Sequence, residues 1–248
     1  MTIAFTIRGY IGNPRSGKTI SMVSDGHDTF LEIKEMEYYL KKKQNSGKKL
    51  SKLEKSRLEI FSKFEIMSNL KLNKRIYGKY HKVTFDKIIE MYKNNETIEY
   101  KLILLDDLFK ELDSYDVFSK KEKHKFSSYF FKEIGKKENI VYYVSHYDMD
   151  ITKRLRKLTE VFVYCRKGSF KKVELPSGNI FSIFIEDENY YDLQTQEELK
   201  NMVIHQIHLR KFMTMSDLMN SDVKRKIKKQ EYLTAHKFFN HYDTKEVV

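Results

Sequence analysis

The length, composition and charge of the chain narrow its class before any motif is considered. Its 248 residues are 40% apolar and 14% aromatic, so a core can form and a disordered chain is excluded. No apolar run approaches the roughly 18 residues of a membrane span, Met1–Ile11 reads as a strand rather than a secretory leader, and the single Cys165 excludes an internal disulfide bond. We therefore expect a soluble cytoplasmic protein with no membrane partner. The net charge of +12 favours an anionic binding partner, and nucleic acid is the first candidate.

The first third of the chain predicts a strand, a loop and a helix. Thr2–Ile11 is rich in β-branched and aromatic residues and is predicted to be a strand that stops at a glycine loop. A helix is predicted to open at Lys18–Asp25, and Thr29–Lys43 has apolar residues at helical spacing. The next segment, 41–57, contains Asn45–Gly47 and is predicted to be a flexible loop inserted into the domain.

The rest of the chain supplies the strands of a parallel sheet. Tyr100–Leu105 and Ile140–Val144 are near-continuous apolar runs, typical of strands that are buried on both faces. Weaker patterns predict strands at Phe64–Leu72 and Val161–Cys165, helices at Phe85–Asn94, Lys120–Lys136, Glu197–Asn220 and Ser221–Phe239, and a β-hairpin at 170–185 that turns at Leu175–Asn179. Strands that alternate with helices predict an α/β fold, a parallel sheet with helices on both faces. We divide the chain into a core, residues 1–196, and a helical C-terminal extension, residues 197–248.

The positive charge is concentrated in two segments. Lys41–Arg57 contains eight positive residues and one acid, Glu54, and Lys224–Lys229 contains five positive residues. Such clusters are more informative than the total charge, and they favour contact with nucleic acid. Two alternatives stay open: a lysine-rich composition, as in a protein from an AT-rich genome, and a solvated helix face or loop.

The loop after the first strand matches G-x-x-x-x-G-K-[ST], the Walker A pattern of a P-loop. It consists of Gly12, Asn13, Pro14, Arg15, Ser16, Gly17, Lys18 and Thr19. The glycines let the backbone approach an anion, so that amide N–H groups and the start of the next helix meet a phosphate. Lys18 is predicted to reach the β- and γ-phosphates, and the Thr19 hydroxyl to bind Mg²⁺. The predicted ligands are ATP and Mg²⁺, and the predicted fold is a P-loop NTPase sheet of the RecA/AAA-like kind, with residues 1–196 as the ATPase core.

A second acidic motif follows a buried strand. Leu102–Asp107 is four apolar residues followed by two aspartates, the Walker B form. Asp106 is predicted to hold the Mg²⁺ with Thr19, and Asp107 to activate the attacking water. Aspartate is about 1.5 Å shorter than the glutamate that many P-loop ATPases carry there, so Glu111, one helical turn on, is an alternative. A further alternative is that the two acids merely end the strand.

Polar residues after the next strand are candidates for sensing the γ-phosphate. Ser145 and His146 end the strand Ile140–Val144, where they would face the same crevice, with strand-end capping as the alternative. Arg154 and Arg156 are candidates for an arginine finger inserted into a neighbouring subunit, or for a DNA-facing or solvated helix. Arg15 would stabilise developing charge within its own subunit, or be a bystander beside the phosphates.

Several motifs in this order resemble a known group. Besides the two Walker motifs, the chain carries "MSNLKL" (Met67–Leu72), "SHYDMDITKRLRKLTEVFVYCRK" (Ser145–Lys167) and "NYYDLQTQEE" (Asn189–Glu198). Over residues 1–200 it is similar to Zot-like and HerA/FtsK-type ATPases, and it looks most like the compact genome-packaging ATPases of archaeal viruses and their plasmid relatives. Two departures are the Asp-Asp form of Walker B and the lack of the membrane span of secretion-type Zot proteins.

The resemblance implies a DNA-translocating ATPase that packages a viral genome. It implies a homo-oligomeric ring of five or six subunits around double-stranded DNA of any sequence, with capsid or portal proteins as further partners. A viral protein of this kind would act in the host cytoplasm or on the virion. Two alternatives stay open: another DNA-handling P-loop ATPase, in conjugation, segregation or replication, and a nucleotide switch or small-molecule kinase.

Overall fold

A computed structural model describes residues 6–78, 80–94, 96–108, 137–146, 153–167, 169–174, 180–185, 207–216, 229–234, 238 and 240–243. Its strands, numbered among these residues, are β1 (Ile7–Ile11), β2 (Glu65–Ser68), β3 (Tyr80–Lys82), β4 (Lys101–Leu105), β5 (Ile140–Val144), β6 (Val161–Lys167), β7 (Ser169–Glu174), β8 (Ile180–Ile185), β9 (Ile207–Met213) and β10 (Lys229–Thr234). Its helices are α1 (Lys18–Asn45), α2 (Lys52–Lys63), α3 (Lys74–Tyr77), α4 (Phe85–Lys93) and α5 (Lys153–Leu158).

The described strands form one large sheet and one small one. The large sheet has eight strands in the order β10-β9-β6-β1-β5-β4-β2-β3. The strands from β6 to β3 run parallel, and β9 and β10 extend the sheet antiparallel to β6. The hairpin β7-β8 is a separate two-stranded sheet, as predicted from its sequence. This order confirms the α/β fold, and it places the carboxyl ends of β1, β5 and β4 side by side.

The sheet is buried on both faces, as the apolar runs predict. On β4, Leu102 and Leu104 pack in one hydrophobic cluster with residues of α1 such as Met22, whereas Ile103 packs in a second cluster with Ile88 of α4. All of these side chains are almost fully buried. Because successive strand residues point to opposite faces, an uninterrupted apolar strand requires a layer on each side.

The prediction of a loop at 41–57 is wrong for residues 41–45 and 52–57, which are helical, whereas a turn does lie at 46–51. Helix α1 continues to Asn45, and α2 begins at Lys52 after a short turn. Ser51 and Glu54 form a reciprocal capping box at the start of α2, and Gly47 adopts a φ of 76° in the turn. Lysine is a good helix former, so the run of charge extends a helix rather than ending it.

The prediction of a helical C-terminal extension is wrong at β9 and β10. Both segments pair in the large sheet: β9 lies beside β6, and β10 lies beside β9. Arg210 of β9 is buried and bonds to Asp25 of α1, so pairing with distant parts of the chain overrides the local helical pattern.

Three predicted features lie outside the described residues: the helix at Lys120–Lys136, the segment Asn189–Glu198 and the basic residues Lys224–Lys228. In the described part of the chain, we find no helix both long enough and apolar enough to cross a bilayer. The domain boundary at 196/197 stays a prediction.

Candidate nucleotide-binding site

The loop between β1 and α1 has the backbone shape that a P-loop requires. Gly12 and Gly17 adopt φ angles of 145° and 89°, which glycine tolerates far better than other residues. A Cβ atom at Gly12 would overlap the carbonyl oxygen of Cys165 on β6 and would lie 2.8 Å from the Ser16 hydroxyl. Only glycine therefore lets this turn pass so close to the neighbouring strand.

Two features of the loop fit an anionic ligand. Helix α1 has Gly17 as its N-cap, with no side-chain cap and no acid in its first turn, so its positive end is available to a negative group. The Ser16 hydroxyl is buried and has no hydrogen-bond partner among the described atoms. A buried donor of this kind is normally paired. A phosphate in the loop would give both features a partner.

Lys18 lies at the mouth of this loop. Its ammonium donates to the carbonyl oxygens of Gly12 and Asn13, both at 2.9 Å, and lies 3.4 Å from Nδ1 of His146. Burial lowers the pKa of Lys18, and the nearby carboxylates of Asp106 and Asp107 oppose that effect. The ammonium is thus held over the turn by weak neutral acceptors, which a triphosphate would replace with charged ones.

Thr19 and Asp106 form a direct link between the two Walker motifs. The Thr19 hydroxyl donates to Oδ1 of Asp106 at 2.9 Å. Burial raises the pKa of Asp106 to about 6, the Thr19 bond lowers it and the charge of Asp107 raises it further. Within the described residues, no group of three or more His, Cys, Asp or Glu side chains could hold a metal. One hydroxyl and one carboxylate fit Mg²⁺, which keeps several water ligands and takes the rest from a bound phosphate.

Asn69, to which the sequence analysis assigned no role, holds the backbone of Asp106. Its Oδ1 accepts from the Asp106 N–H and its Nδ2 donates to the Asp106 carbonyl, both at 2.8 Å. The neighbouring Ser68 hydroxyl donates to the Leu104 carbonyl at 3.0 Å. These bonds attach the end of β2 to the end of β4. The signal in the sequence was the polar pair that ends the strand within "MSNLKL".

The end of β5 is fastened to the P-loop. The Gly12 N–H donates to the His146 carbonyl, and the Ser145 N–H donates to the Tyr10 carbonyl, both at 2.9 Å. Nε2 of His146 lies 3.9 Å from Oδ1 of Asp107, which adopts a positive φ of 53°. The imidazole therefore lies between Lys18 and Asp107, whereas Ser145 is buried at the strand end.

The structure describes the side chains of two of the three predicted arginines. Arg15 is exposed in the loop with a φ of 61°. Arg156 lies half-buried on α5, and the side chain of Arg154, on the same helix, falls outside what the structure describes. Glu111, the alternative to Asp107, also lies outside the described residues. The roles of these residues stay predictions.

A segment near the C-terminus, residues 240–243, packs near the carboxylate of Asp106. Tyr242 forms a β-bridge with Leu72 and packs against a small cluster that Ile20, in the first turn of α1, forms with Leu233. The Asn73 N–H donates to the His241 carbonyl at 2.8 Å, which holds the segment against the residues that follow β2. Burial raises the pKa of Tyr242, and the charge of Asp106 adds to this. Residues far along the chain thus complete the surroundings of Asp106.

The strand order and the loop together define an α/β P-loop NTPase fold. In its site, the Lys18 ammonium bonds to the turn that contains Gly12 and Gly17, and the bonded pair of Thr19 and Asp106 lies next to Lys18. This is the arrangement of a P-loop nucleotide-binding protein.

Comparison with known proteins gives structural matches only. No protein-family model matches the chain, and no curated protein matches it in sequence. The N-terminal domain of zonular occludens toxin from Neisseria meningitidis is 14% identical, with 75% of this chain and 95% of that chain covered and a TM-score of 0.42. The genome packaging NTPase B204 from Sulfolobus turreted icosahedral virus 2, in complex with ATP-gammaS, is 8% identical, with 71% and 80% covered and a TM-score of 0.34. A third solved structure, an ATPase domain, is 10% identical, with 96% and 84% covered and a TM-score of 0.42.

The solved structures that resemble this chain thus include a Zot domain and a viral packaging NTPase. Their TM-scores all lie below 0.5. The assignment of the fold therefore depends on the strand order and the loop geometry of this chain.

Proposed function

We propose that this protein hydrolyses ATP with Mg²⁺ to move DNA, as one subunit of a ring-shaped genome-packaging motor. The observation that carries the proposal is the bond between Thr19 and Asp106 beside Lys18. It places the carboxylate that follows β4 beside the hydroxyl and the ammonium at the start of α1. These are the groups that phosphoryl transfer requires around a nucleoside triphosphate.

Each residue has a distinct task in this mechanism. The Lys18 ammonium leaves the carbonyls of Gly12 and Asn13 and pairs with the β- and γ-phosphates, while N–H groups at the start of α1 bind the phosphate oxygens. Thr19 and Asp106 would hold Mg²⁺, which would supply positive charge opposite the negative charge that develops on the phosphates. Asp106 must be ionised for this, and its position is fixed by Asn69.

Asp107 and His146 are the candidates for handling the attacking water. Both half-buried side chains stand at the ends of neighbouring strands, on the side of the site that Lys18 faces. Asp107 accepts a proton from the water or orients it, and His146 contacts the γ-phosphate and reports its presence to β5. Ser145 supports this strand end through its backbone bond to Tyr10.

The DNA partner and the ring are supported by charge and by the arginines. The net charge of +12 and the basic residues 41–57 favour a polyanion of any sequence, held through its phosphates and released by salt. In a ring, Arg154 or Arg156 of one subunit would complete the site of the next, so that hydrolysis in one subunit changes its neighbour. Capsid or portal proteins are the further partners proposed for a packaging motor.

Two measurements on the full-length protein test the proposal: ATP turnover with and without long double-stranded DNA, and the mass of the assembled particle. We expect turnover to rise with DNA and the mass to be that of five or six chains. Lys18→Ala is expected to abolish turnover while the fold remains, and Lys87→Ala, an exposed lysine on α4, is the matched control. Native turnover in Lys18→Ala would show that this loop is not the site. A monomer without DNA stimulation would favour a small-molecule kinase instead.

Mixing two inactive variants tests whether arginine acts between subunits. Lys18→Ala and Arg156→Ala are each expected to be inactive alone. If Arg156 completes a neighbour's site, mixed rings contain some interfaces with both intact groups and regain part of the activity. Arg154→Ala is tested in the same way. No recovery with either arginine would leave them as DNA-facing or surface residues.

A further inference from the structure

The tip of the α1–α2 helical hairpin, residues 38–57, is a separate surface of the molecule. Helix α1 starts at the P-loop and contains 28 residues, so it is about 40 Å long. Tyr38 lies 20 residues beyond Lys18, which puts it about 30 Å from the nucleotide site along the helix. The tip therefore cannot take part in the chemistry of that site.

Two aromatic rings are exposed on this tip. Tyr38 and Tyr39 are 68% and 59% exposed, and Leu53 on α2 is 61% exposed. The face of α1 that packs on the protein is supplied by other residues, since Ile33 and Leu40 are almost fully buried. The tyrosines thus contribute little to the core, and exposed large apolar groups side by side mark a surface for a partner.

The tip also carries unneutralised positive charge. Lys41 pairs with Glu37, and Lys43 pairs with Glu54. The other basic residues of the tip form no ion pair with a described residue; they are Lys42, Lys48, Lys49, Lys52, Lys55 and Arg57. This surface attracts an anion.

The two rings share one helix face with Lys42. Lys42 follows Tyr38 by four residues and Tyr39 by three, and residues at these spacings are neighbours on a helix surface. The arrangement differs from a simple solvated lysine face, because apolar rings flank an unpaired ammonium.

We propose that the hairpin tip binds single-stranded nucleic acid, with bases stacked on Tyr38 and Tyr39 and phosphates paired with Lys42 and its basic neighbours. Tyrosine rings stack on unpaired bases of any kind, and lysines follow the backbone between them. In a duplex the bases are stacked on each other, so the lysines would find partners but the rings would not. A second copy of this chain is a poorer partner, because each copy carries a net charge of +12.

The inference rests on the proposed function in one respect, that nucleic acid is the substrate, and it specifies the strand form that this surface takes. Binding at the tip requires no nucleotide. Loss of ATP turnover and loss of binding at the tip are therefore separate results.

The test is the affinity of the nucleotide-free, full-length protein for a fluorescent oligothymidine and for a blunt duplex, measured by anisotropy. Tyr38→Ala with Tyr39→Ala is expected to weaken single-strand binding about tenfold or more, because each stacked base is lost. Tyr38→Phe with Tyr39→Phe keeps the rings and is expected to bind within about twofold of the native protein. Duplex affinity and basal ATP turnover are expected to be unchanged in both.

Charge substitutions separate phosphate contacts from stacking. Lys42→Gln with Lys49→Gln is expected to reduce the slope of log affinity against log salt for the single strand by about 1.4. Lys74→Gln with Lys87→Gln, two exposed lysines elsewhere, is the matched control and should leave the slope unchanged. Since the tyrosines and lysines are exposed, circular dichroism should show the same fold in all variants.

Four results would overturn the inference. In the tyrosine-to-alanine variant, these are an unchanged affinity for the single strand, or equal losses of affinity for the duplex and the single strand. In the lysine variant, it is an unchanged salt slope. In the native protein, it is tighter binding to vesicles of anionic lipid than to oligothymidine.

Discussion

Replacing Asn69 tests whether the end of β2 positions the metal-binding carboxylate. Asn69→Ala removes two hydrogen bonds, to the N–H and the carbonyl of Asp106. Each such bond contributes about 0.5–1.5 kcal/mol net, so the free energy of unfolding should fall by about 1–3 kcal/mol. The carboxylate of Asp106 then loses the support that orients it toward Thr19. Outer contacts of this kind change metal affinity by about 10–100-fold, so the half-saturating Mg²⁺ concentration for ATP turnover should rise by at least about tenfold.

The assay combines urea unfolding with Mg²⁺ titration of ATP turnover. Asn139→Ala is the matched control, because the Asn139 side chain also makes two bonds to backbone atoms, of Ile98 and Lys101, at the opposite end of β4. It should lower the stability by a similar amount and leave the Mg²⁺ dependence unchanged. If both variants needed the same Mg²⁺ concentration as the native protein, the bonds from Asn69 would be structural only and the reasoning would be refuted.

Three further predictions concern the P-loop and the two aspartates. The pKa of Asp106 is raised to about 6 from 3.8, so the nucleotide-free protein should lose up to about 3 kcal/mol of stability as pH rises from below 4 to above 6. In Asp106→Asn, the free energy of unfolding should no longer fall between pH 5 and pH 7. A fall equal to that of the native protein would contradict the raised pKa of Asp106. Asp107→Asn should retain ATP binding and lose turnover, and turnover equal to the native rate would transfer the role to Glu111. Gly12→Ala should weaken binding of a fluorescent ATP analogue at least about tenfold, because the added Cβ overlaps the Cys165 carbonyl; native affinity in this variant would contradict the loop geometry.

Local patterns were reliable where one segment carries the whole signal. The P-loop residues Gly12–Thr19 are contiguous, and glycine at positive φ followed by a helix start is recognisable without any partner. The strand β4 is equally local, since an apolar run buried on both faces ends where the acids begin. In the segment 41–57, Gly47 and the lysines predict a loop, whereas Ser51 and Glu54 form the capping box that starts α2.

Other contacts join parts of the chain that no local pattern connects. Asn69 and Asp106 are 37 residues apart, and Lys18 and His146 are 128 apart. The segment that forms β9 reads as a helix, yet it pairs with β6 and its Arg210 bonds to Asp25. Such contacts depend on which strands lie beside each other.

The amino-acid sequence by itself determined the phosphate loop and the α/β alternation, because glycine, lysine and apolar periodicity act on neighbouring residues. Only the tertiary structure decided that Asn69 holds Asp106 and that β9 and β10 join the sheet. The physical reason is that backbone hydrogen bonds between strands, and side-chain bonds to strand ends, form only once the sheet has brought distant segments to within about 3 Å.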